Sequence, residues 1–130
     1  MMKAFDHVAI IVSDYETSKS FYIDTLGLTP IAETYRAARD SWKLDLAIPG
    51  GGQLEVFTFP DAPERVSRPE ARGLRHLAFQ VSDIEVCVAR LEQRGITVEP
   101  VRLDELTGCR FTFFADPDAL PIELYEVPDH

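Results

Sequence analysis

The sequence predicts an α+β fold built from two βαβββ modules in tandem. The first observation is an internal repeat, in which residues 7–14 read HVAIIVSD and residues 76–83 read HLAFQVSD. The second is that three further residues recur 68 positions later, namely Gly27 as Gly95, Thr29 as Thr97 and Glu55 as Glu123. Two copies nearly fill the 130-residue chain. This indicates a duplicated domain over residues 1–130 rather than a solenoid, which needs three or more repeats.

The elements of the first module follow in order from its start. Residues 5–13 alternate and are rich in Val and Ile, which predicts a strand. Ser13 and Glu16 have the spacing of a capping box, which predicts a helix start, and Gly27 suits the left-handed residue at its end. Three strand-like runs follow at about 29–37, 42–49 and 52–59, with turn residues at 49–52. We expect the first module to span residues 5–60.

The second module repeats this order after a proline-containing linker at residues 61–73. Ser82 and Glu85 repeat the capping box, and Ile84, Val88 and Leu91 recur at helical spacing. Gly95 again suits the end of the helix. Further strands are predicted at about 97–103, 109–115 and 121–127. We expect the second module to span residues 74–127.

Composition excludes several classes of partner. The formal net charge of −9 and pI of about 4.7 disfavour nucleic acid. No apolar run approaches the roughly 20 residues that span a bilayer, and the N-terminus does not read as a signal peptide. Cys87 and Cys109 lie far apart without metal-type spacing, which indicates reduced thiols. We therefore expect a cytoplasmic protein that contacts neither nucleic acid nor membrane.

Two histidines and two glutamates occupy matching positions of the repeat: His7, Glu55, His76 and Glu123. Strand alternation places each away from the apolar row that suits packing against a helix. A carboxylate within an apolar strand costs free energy to bury unless it is paired or bound to a metal. Nitrogen and oxygen donors suit Zn, Ni, Co, Fe or Mn. Taken singly, each residue fits a hydrogen-bonded histidine or a solvated glutamate; the matched set favours a metal site. The third histidine, His130, is left out of the site.

At this point the chain resembles the vicinal oxygen chelate superfamily and, within it, the glyoxalase I-like proteins. The matching segments are FY at 21–22, LGL at 26–28, QLEV at 53–56, RHLAF at 75–79 and FFADPD at 113–118. The resemblance covers about residues 7–126. It implies the glyoxalase/bleomycin resistance/dihydroxybiphenyl dioxygenase fold, a homodimer, a small-molecule substrate, and one divalent metal (Zn, Ni, Co, Mn or Fe) on the four ligands.

The activity that the resemblance implies is that of a metal-dependent lyase or isomerase. Such an enzyme moves a proton next to a carbonyl through an enediolate that the metal stabilises. Glu123 and Glu55 are the catalytic candidates, with Glu123 favoured as the base. Two alternatives remain open. One is a metal-dependent dioxygenase, which Glu55 as a fourth ligand disfavours. The other is a non-catalytic small-molecule-binding protein of the same fold.

The sequence departs from well-known glyoxalases where those bind glutathione. Ile11 stands where an arginine is usual, and Asp104 and Glu105 lie where a basic loop is usual. We therefore expect poor use of glutathione. Three further residues are predicted substrate contacts: Arg39, Trp42 and Arg110. Either arginine could hold a substrate carboxylate bidentately. The alternative for the two arginines is a surface ion pair.

Overall fold

The computed structural model describes residues 1–129, and His130 lies outside the described residues. The chain divides into two compact units, one spanning Met1–Glu64 and the other beginning at Arg65. Within residues 1–129, no helix is long and apolar enough to cross a membrane.

The first unit contains one helix and a four-stranded mixed sheet. Its elements are β1 (His7–Ile11), α1 (Tyr15–Ser20), a π-helical segment (Phe21–Thr25), β2 (Thr29–Arg36), a 3-10 turn (Ala37–Arg39), β3 (Ser41–Ala47) and β4 (Gln53–Phe57). The strand order is β1-β4-β3-β2. β1 runs parallel to β4, and the other neighbours are antiparallel. This is the predicted βαβββ arrangement.

The second unit repeats this architecture. Its elements are β5 (Leu77–Val81), α2 (Ile84–Gln93), β6 (Arg102–Leu103), β7 (Arg110–Ala115) and β8 (Pro121–Glu126). The strand order is β5-β8-β7-β6, again with the outer β5 parallel to β8. The two tandem modules confirm the predicted fold class.

Two local predictions were wrong. The helices are capped by Asp14 and Asp83 rather than by the serines before them: each carboxylate accepts a hydrogen bond from the backbone N–H three residues on, at 3.0 and 3.2 Å. The strand expected at 97–103 is reduced to Arg102–Leu103. The Glu99 N–H donates to the Phe113 carbonyl at 3.0 Å, but the Glu99 carbonyl accepts from the Thr112 hydroxyl at 2.7 Å instead of from a backbone N–H of β7, so the regular ladder begins only at Arg102.

The apolar core of each unit lies on one face of its sheet, which we call the helix face. In the first unit this face carries buried Leu44, Leu46, Leu54 and Val56. The adjacent residues Phe21 and Tyr22 are both buried, since the wider π-helical segment turns both into the core. In the second unit the core includes Ile84, Leu91, Phe114, Ile122 and Leu124. The opposite face of each sheet, the distal face, carries the polar residues of the candidate site.

Candidate metal centre

Strand alternation places the first His–Glu pair on the distal face of the first module. Glu55 lies between buried Leu54 and Val56 in β4, so its side chain projects away from the core. β1 lies beside β4 in parallel, with Ala9 opposite Glu55. His7 opens β1, and its Nδ1 lies 3.5 Å from Glu55 Oε2. The histidine is half-exposed, whereas the glutamate side chain is only 13% exposed.

Three charged side chains surround this first pair. Asp6 Oδ2 accepts a hydrogen bond from His7 Nδ1 at 2.7 Å, and this contact raises the pKa of His7 above its ordinary value. A proton held on Nδ1 leaves the Nε2 lone pair available to a metal. Asp45 is the cross-strand neighbour of Glu55. Lys43 Nζ lies 2.9 Å from Asp45 Oδ1 and 3.9 Å from Glu55 Oε1. The first glutamate is therefore held among several charges.

The second His–Glu pair has the same position in its module but an aromatic setting. His76 directly precedes β5, and its Nε2 lies 3.2 Å from Glu123 Oε1 in β8. The cross-strand neighbour of Glu123 is Phe113, whose ring packs edge-on against the His76 ring with centroids 5.1 Å apart. The Glu123 side chain is 15% exposed. Among residues 1–129, its one ion pair is with His76.

The predicted ligands are thus brought together as two pairs, one in each module. Across residues 1–129, no group of three or more His, Cys, Asp or Glu side chains is placed to hold a metal ion. A complete site needs four to six donors, so neither pair is a site by itself. The chemistry of the donors, one imidazole nitrogen with one carboxylate in each pair, fits a borderline or harder divalent ion.

Two of the three predicted substrate contacts lie on the helix faces. Trp42 and Arg110 are equivalent at the repeat offset of 68 residues. The Trp42 ring stacks on Tyr15 of α1, with centroids 4.9 Å apart and planes 15° apart. Trp42 shares its face of β3 with the buried Leu44, opposite to that of Glu55. Its position gives no support to a contact with a substrate beside Glu55.

Arg110 takes part in an ion-pair network, as the alternative interpretation expected. Its Nε and Nη2 each donate to the Glu126 carboxylate at 2.9 Å, and Nη1 donates to Glu85 at 3.0 Å. Glu126 also accepts a hydrogen bond from Ile84 N–H at 2.9 Å, at the start of α2. Arg110 therefore anchors the helix to the sheet, and its guanidinium is occupied.

Arg39 remains beside the distal face. Its Cζ lies 4.9 Å from the centroid of the Phe59 ring, just beyond β4. Within residues 1–129 it forms no ion pair. Of the two predicted arginines, Arg39 is therefore the one whose guanidinium has no carboxylate partner within residues 1–129.

The sequence analysis did not identify three residues of this site, namely Asp6 beside His7 and Lys43 and Asp45 beside Glu55. Asp6 had a local signal, since it directly precedes a candidate ligand and a carboxylate there can orient the imidazole. Lys43 and Asp45 alternate with Leu44 and Leu46 in β3, which placed them on the polar face of a half-buried strand. Their proximity to Glu55 depends on the β3–β4 register, which the sequence did not reveal.

Comparison with known proteins gives a family match over nearly the whole chain. The model of the Glyoxalase/Bleomycin resistance protein/Dioxygenase superfamily matches residues 4–124. YaeR of Escherichia coli is 58% identical over 125 residues, covering 96% of this chain and 97% of YaeR. The glutathione transferase FosA of Serratia marcescens is 30% identical, covering 96% of this chain and 82% of FosA.

A solved structure shows the same fold at high similarity. The glyoxalase family protein from Enterococcus faecalis is 48% identical, with a TM-score of 0.88. The match covers 95% of this chain and 98% of that protein.

Proposed function

The chain belongs to the Glyoxalase/Bleomycin resistance protein/Dioxygenase superfamily, and on that premise we propose that it is a metal-dependent lyase or isomerase of the glyoxalase type. It would move a proton between two neighbouring substrate carbons, one of which belongs to a carbonyl. The observation that carries this proposal is the His–Glu pair, repeated on the distal face of each module. Superfamily membership alone leaves several chemistries open.

His7, Glu55, His76 and Glu123 would together hold one divalent ion. When bound, the metal would stabilise negative charge that develops on the substrate oxygens. The surroundings of the first pair support a ligand role, because the hydrogen bond from His7 Nδ1 to Asp6 would leave Nε2 for the metal. Lys43 offsets part of the negative charge of Asp45 and Glu55 before a metal arrives.

Glu123 is the proposed base. Its setting is less charged than that of Glu55, since its cross-strand neighbour is Phe113 rather than Asp45. Glu123 contacts one histidine, whereas Glu55 contacts a histidine and a lysine, so Glu123 can move with the loss of fewer contacts. Glu123 would take the proton from one substrate carbon and return it to the neighbouring carbon. Glu55 would remain a ligand.

Arg39 is the proposed substrate contact, since its guanidinium lies over Phe59 and forms no ion pair within residues 1–129. We further propose a homodimer, with the donor pairs of a site supplied by one chain or by two. Light scattering tests the dimer: a monomer at micromolar concentration would exclude a site shared between chains.

The similarity to FosA supports a second candidate, a transferase that joins the thiol of glutathione to a substrate. Ile11, Asp104 and Glu105 disfavour it, because the carboxylates of glutathione need cationic partners. Conjugation of glutathione to an electrophilic substrate, by a protein that isomerises no carbonyl substrate, would favour this candidate.

The experiment that tests the proposed function is a panel of α-keto hemithioacetals made from several thiols. Protein loaded with Zn, Ni, Co or Mn should isomerise at least one of them, and chelator-treated protein should not. The His7→Ala protein, which lacks one proposed ligand, should also be inactive under the same metal loading. Activity that survives chelation or this substitution would contradict a metal-dependent mechanism.

A further inference from the structure

Two arginines cover two phenylalanines at the end of β4, and we call these four residues the arginine–phenylalanine cluster. The rings of Phe57 and Phe59 stack with centroids 5.9 Å apart and planes 11° apart. Arg36 Cζ lies 4.9 Å from the centroid of Phe57 and 5.8 Å from that of Phe59. Arg39 Cζ lies 4.9 Å from the centroid of Phe59. A guanidinium stacked on a ring keeps its in-plane N–H donors for other partners.

Among the described residues the cluster has no counter-ion, although the protein carries a net charge of −9. Within residues 1–129, neither Arg36 nor Arg39 lies in an ion pair. Arg36 Nη2 donates to Ser41 Oγ at 3.2 Å, whereas its Nε is buried and has no hydrogen-bond partner among the described residues. A buried cationic donor without a partner is unfavourable, and an anion bound at the Nη atoms would offset the charge of the guanidinium.

The second module shows that this arrangement is not a general property of the repeat. At the offset of 68 residues, Arg36 corresponds to Asp104 and Phe57 to Tyr125. There the Tyr125 hydroxyl donates to Asp104 Oδ2 at 3.0 Å, so the equivalent position is acidic and satisfied. Arg102, which also stacks on a phenylalanine with its Cζ 5.0 Å from the Phe111 centroid, has Glu99 as a partner at 3.0 Å.

The cluster is also close to the candidate site along one strand. Phe57 follows Glu55 by two residues in β4 and shares its distal face. Two residues of strand correspond to about 7 Å. A group held by Arg36 would therefore lie within reach of a small molecule that also occupies the site at Glu55.

We propose that Arg36, assisted by Arg39, binds an oxyanion of the substrate, so that the preferred substrates carry a carboxylate or a phosphonate in addition to the reacting carbonyl. The identification of the occupant as the substrate rests on the proposed function. The anion site itself does not, because its four residues include none of the metal ligands.

Titration calorimetry with benzoate, phenylphosphonate and neutral benzamide tests this assignment at constant ionic strength, on protein both as purified and after chelator treatment. We expect at least one anion to bind in both preparations and benzamide to bind at least about 10-fold more weakly. Tighter binding of benzoate would identify a carboxylate as the preferred group, and tighter binding of phenylphosphonate would identify a phosphonate.

The variants separate Arg36 from general charge effects. Arg36→Gln should weaken anion binding by about 10-fold or more, whereas the matched control Arg102→Gln, which removes the same charge, should change it by less than about 2-fold. Arg36→Lys keeps the charge but loses the planar stacking, so it should weaken binding by a smaller factor. It supplies the test if Arg36→Gln does not fold.

Anion binding that is absent, equal to that of benzamide, or equally weakened by Arg36→Gln and Arg102→Gln would overturn the assignment. If the wild-type protein binds anions but takes up no added divalent metal, the proposed function is refuted and the anion site stands. Metal binding without anion binding would do the reverse.

Discussion

Replacing Glu123 by Gln tests which carboxylate moves the proton. The amide has nearly the same size as the carboxylate and keeps an oxygen that can contact His76, now 3.2 Å from Glu123. The substitution removes one ion pair and the capacity to accept a proton. We expect turnover to fall by about 100-fold or more, the usual effect of losing a general base. This equals a barrier increase of about 2.7 kcal/mol.

The matched variant is Glu55→Gln, because the two residues occupy equivalent positions. Glu55 interacts with His7 and Lys43, so its loss disturbs more contacts and should act mainly on metal affinity. Turnover of each variant should be measured on the most active hemithioacetal and divided by its metal content. Near-normal turnover by fully loaded Glu123→Gln, combined with a large loss in Glu55→Gln, would reverse the assigned roles.

Three further predictions concern the turn at Ala119, the ion pair of Glu126 with Arg110, and the use of glutathione. Ala119 has a φ of +65°, so Ala119→Gly should stabilise the fold by about 0.5–1 kcal/mol and raise the melting temperature by about 2–4 °C; an unchanged or lower value would contradict this. The pKa of Glu126 is lowered by Arg110 and by Ile84 N–H, so its contribution to stability is present at neutral pH and is lost as the pH falls below 4.5. The free energy of unfolding, measured by denaturation at pH 6 and pH 3, should differ less between the two pH values in Glu126→Gln than in the wild type. An equal difference in the two proteins would refute this contribution of Glu126. The glutathione adduct of methylglyoxal should be a poor substrate, and turnover on the order of 10 per second would show that other residues bind glutathione.

The sequence repeat was sufficient to predict the architecture of both modules. Apolar alternation identified the strands, and the face of each strand followed from period-2 geometry, as with Glu55 between Leu54 and Val56. The contact of each histidine with its glutamate was not predicted, because it depends on the parallel β1–β4 and β5–β8 pairs, which the sequence did not reveal. The limits of the short β6 were missed, since the Glu99 carbonyl is bonded to the Thr112 hydroxyl rather than to a backbone N–H of β7, a contact that no local pattern reveals.

Substrate contacts were less predictable, because they depend on partners distant in sequence. Trp42 stays a prediction; its stacking on Tyr15 and its place on the helix face depend on the packing of α1, which its local sequence does not reveal. Arg110 has Glu126 and Glu85 as partners, 16 and 25 residues away, which no local pattern reveals. Arg36 was not predicted as a site residue, because its proposed role depends on the rings of Phe57 and Phe59, which the fold places beside it.

The most direct test of the account is the metal content of protein purified without chelator, measured by inductively coupled plasma mass spectrometry. His7→Ala and His76→Ala remove one proposed ligand from each module, and His130→Ala is a matched control that removes a histidine not assigned to the site. The proposed four-ligand site predicts about one equivalent of a divalent metal per chain in the wild type and the control, and a marked loss in the other two variants. A wild-type content near zero that added Zn, Ni, Co, Mn or Fe does not restore would contradict it.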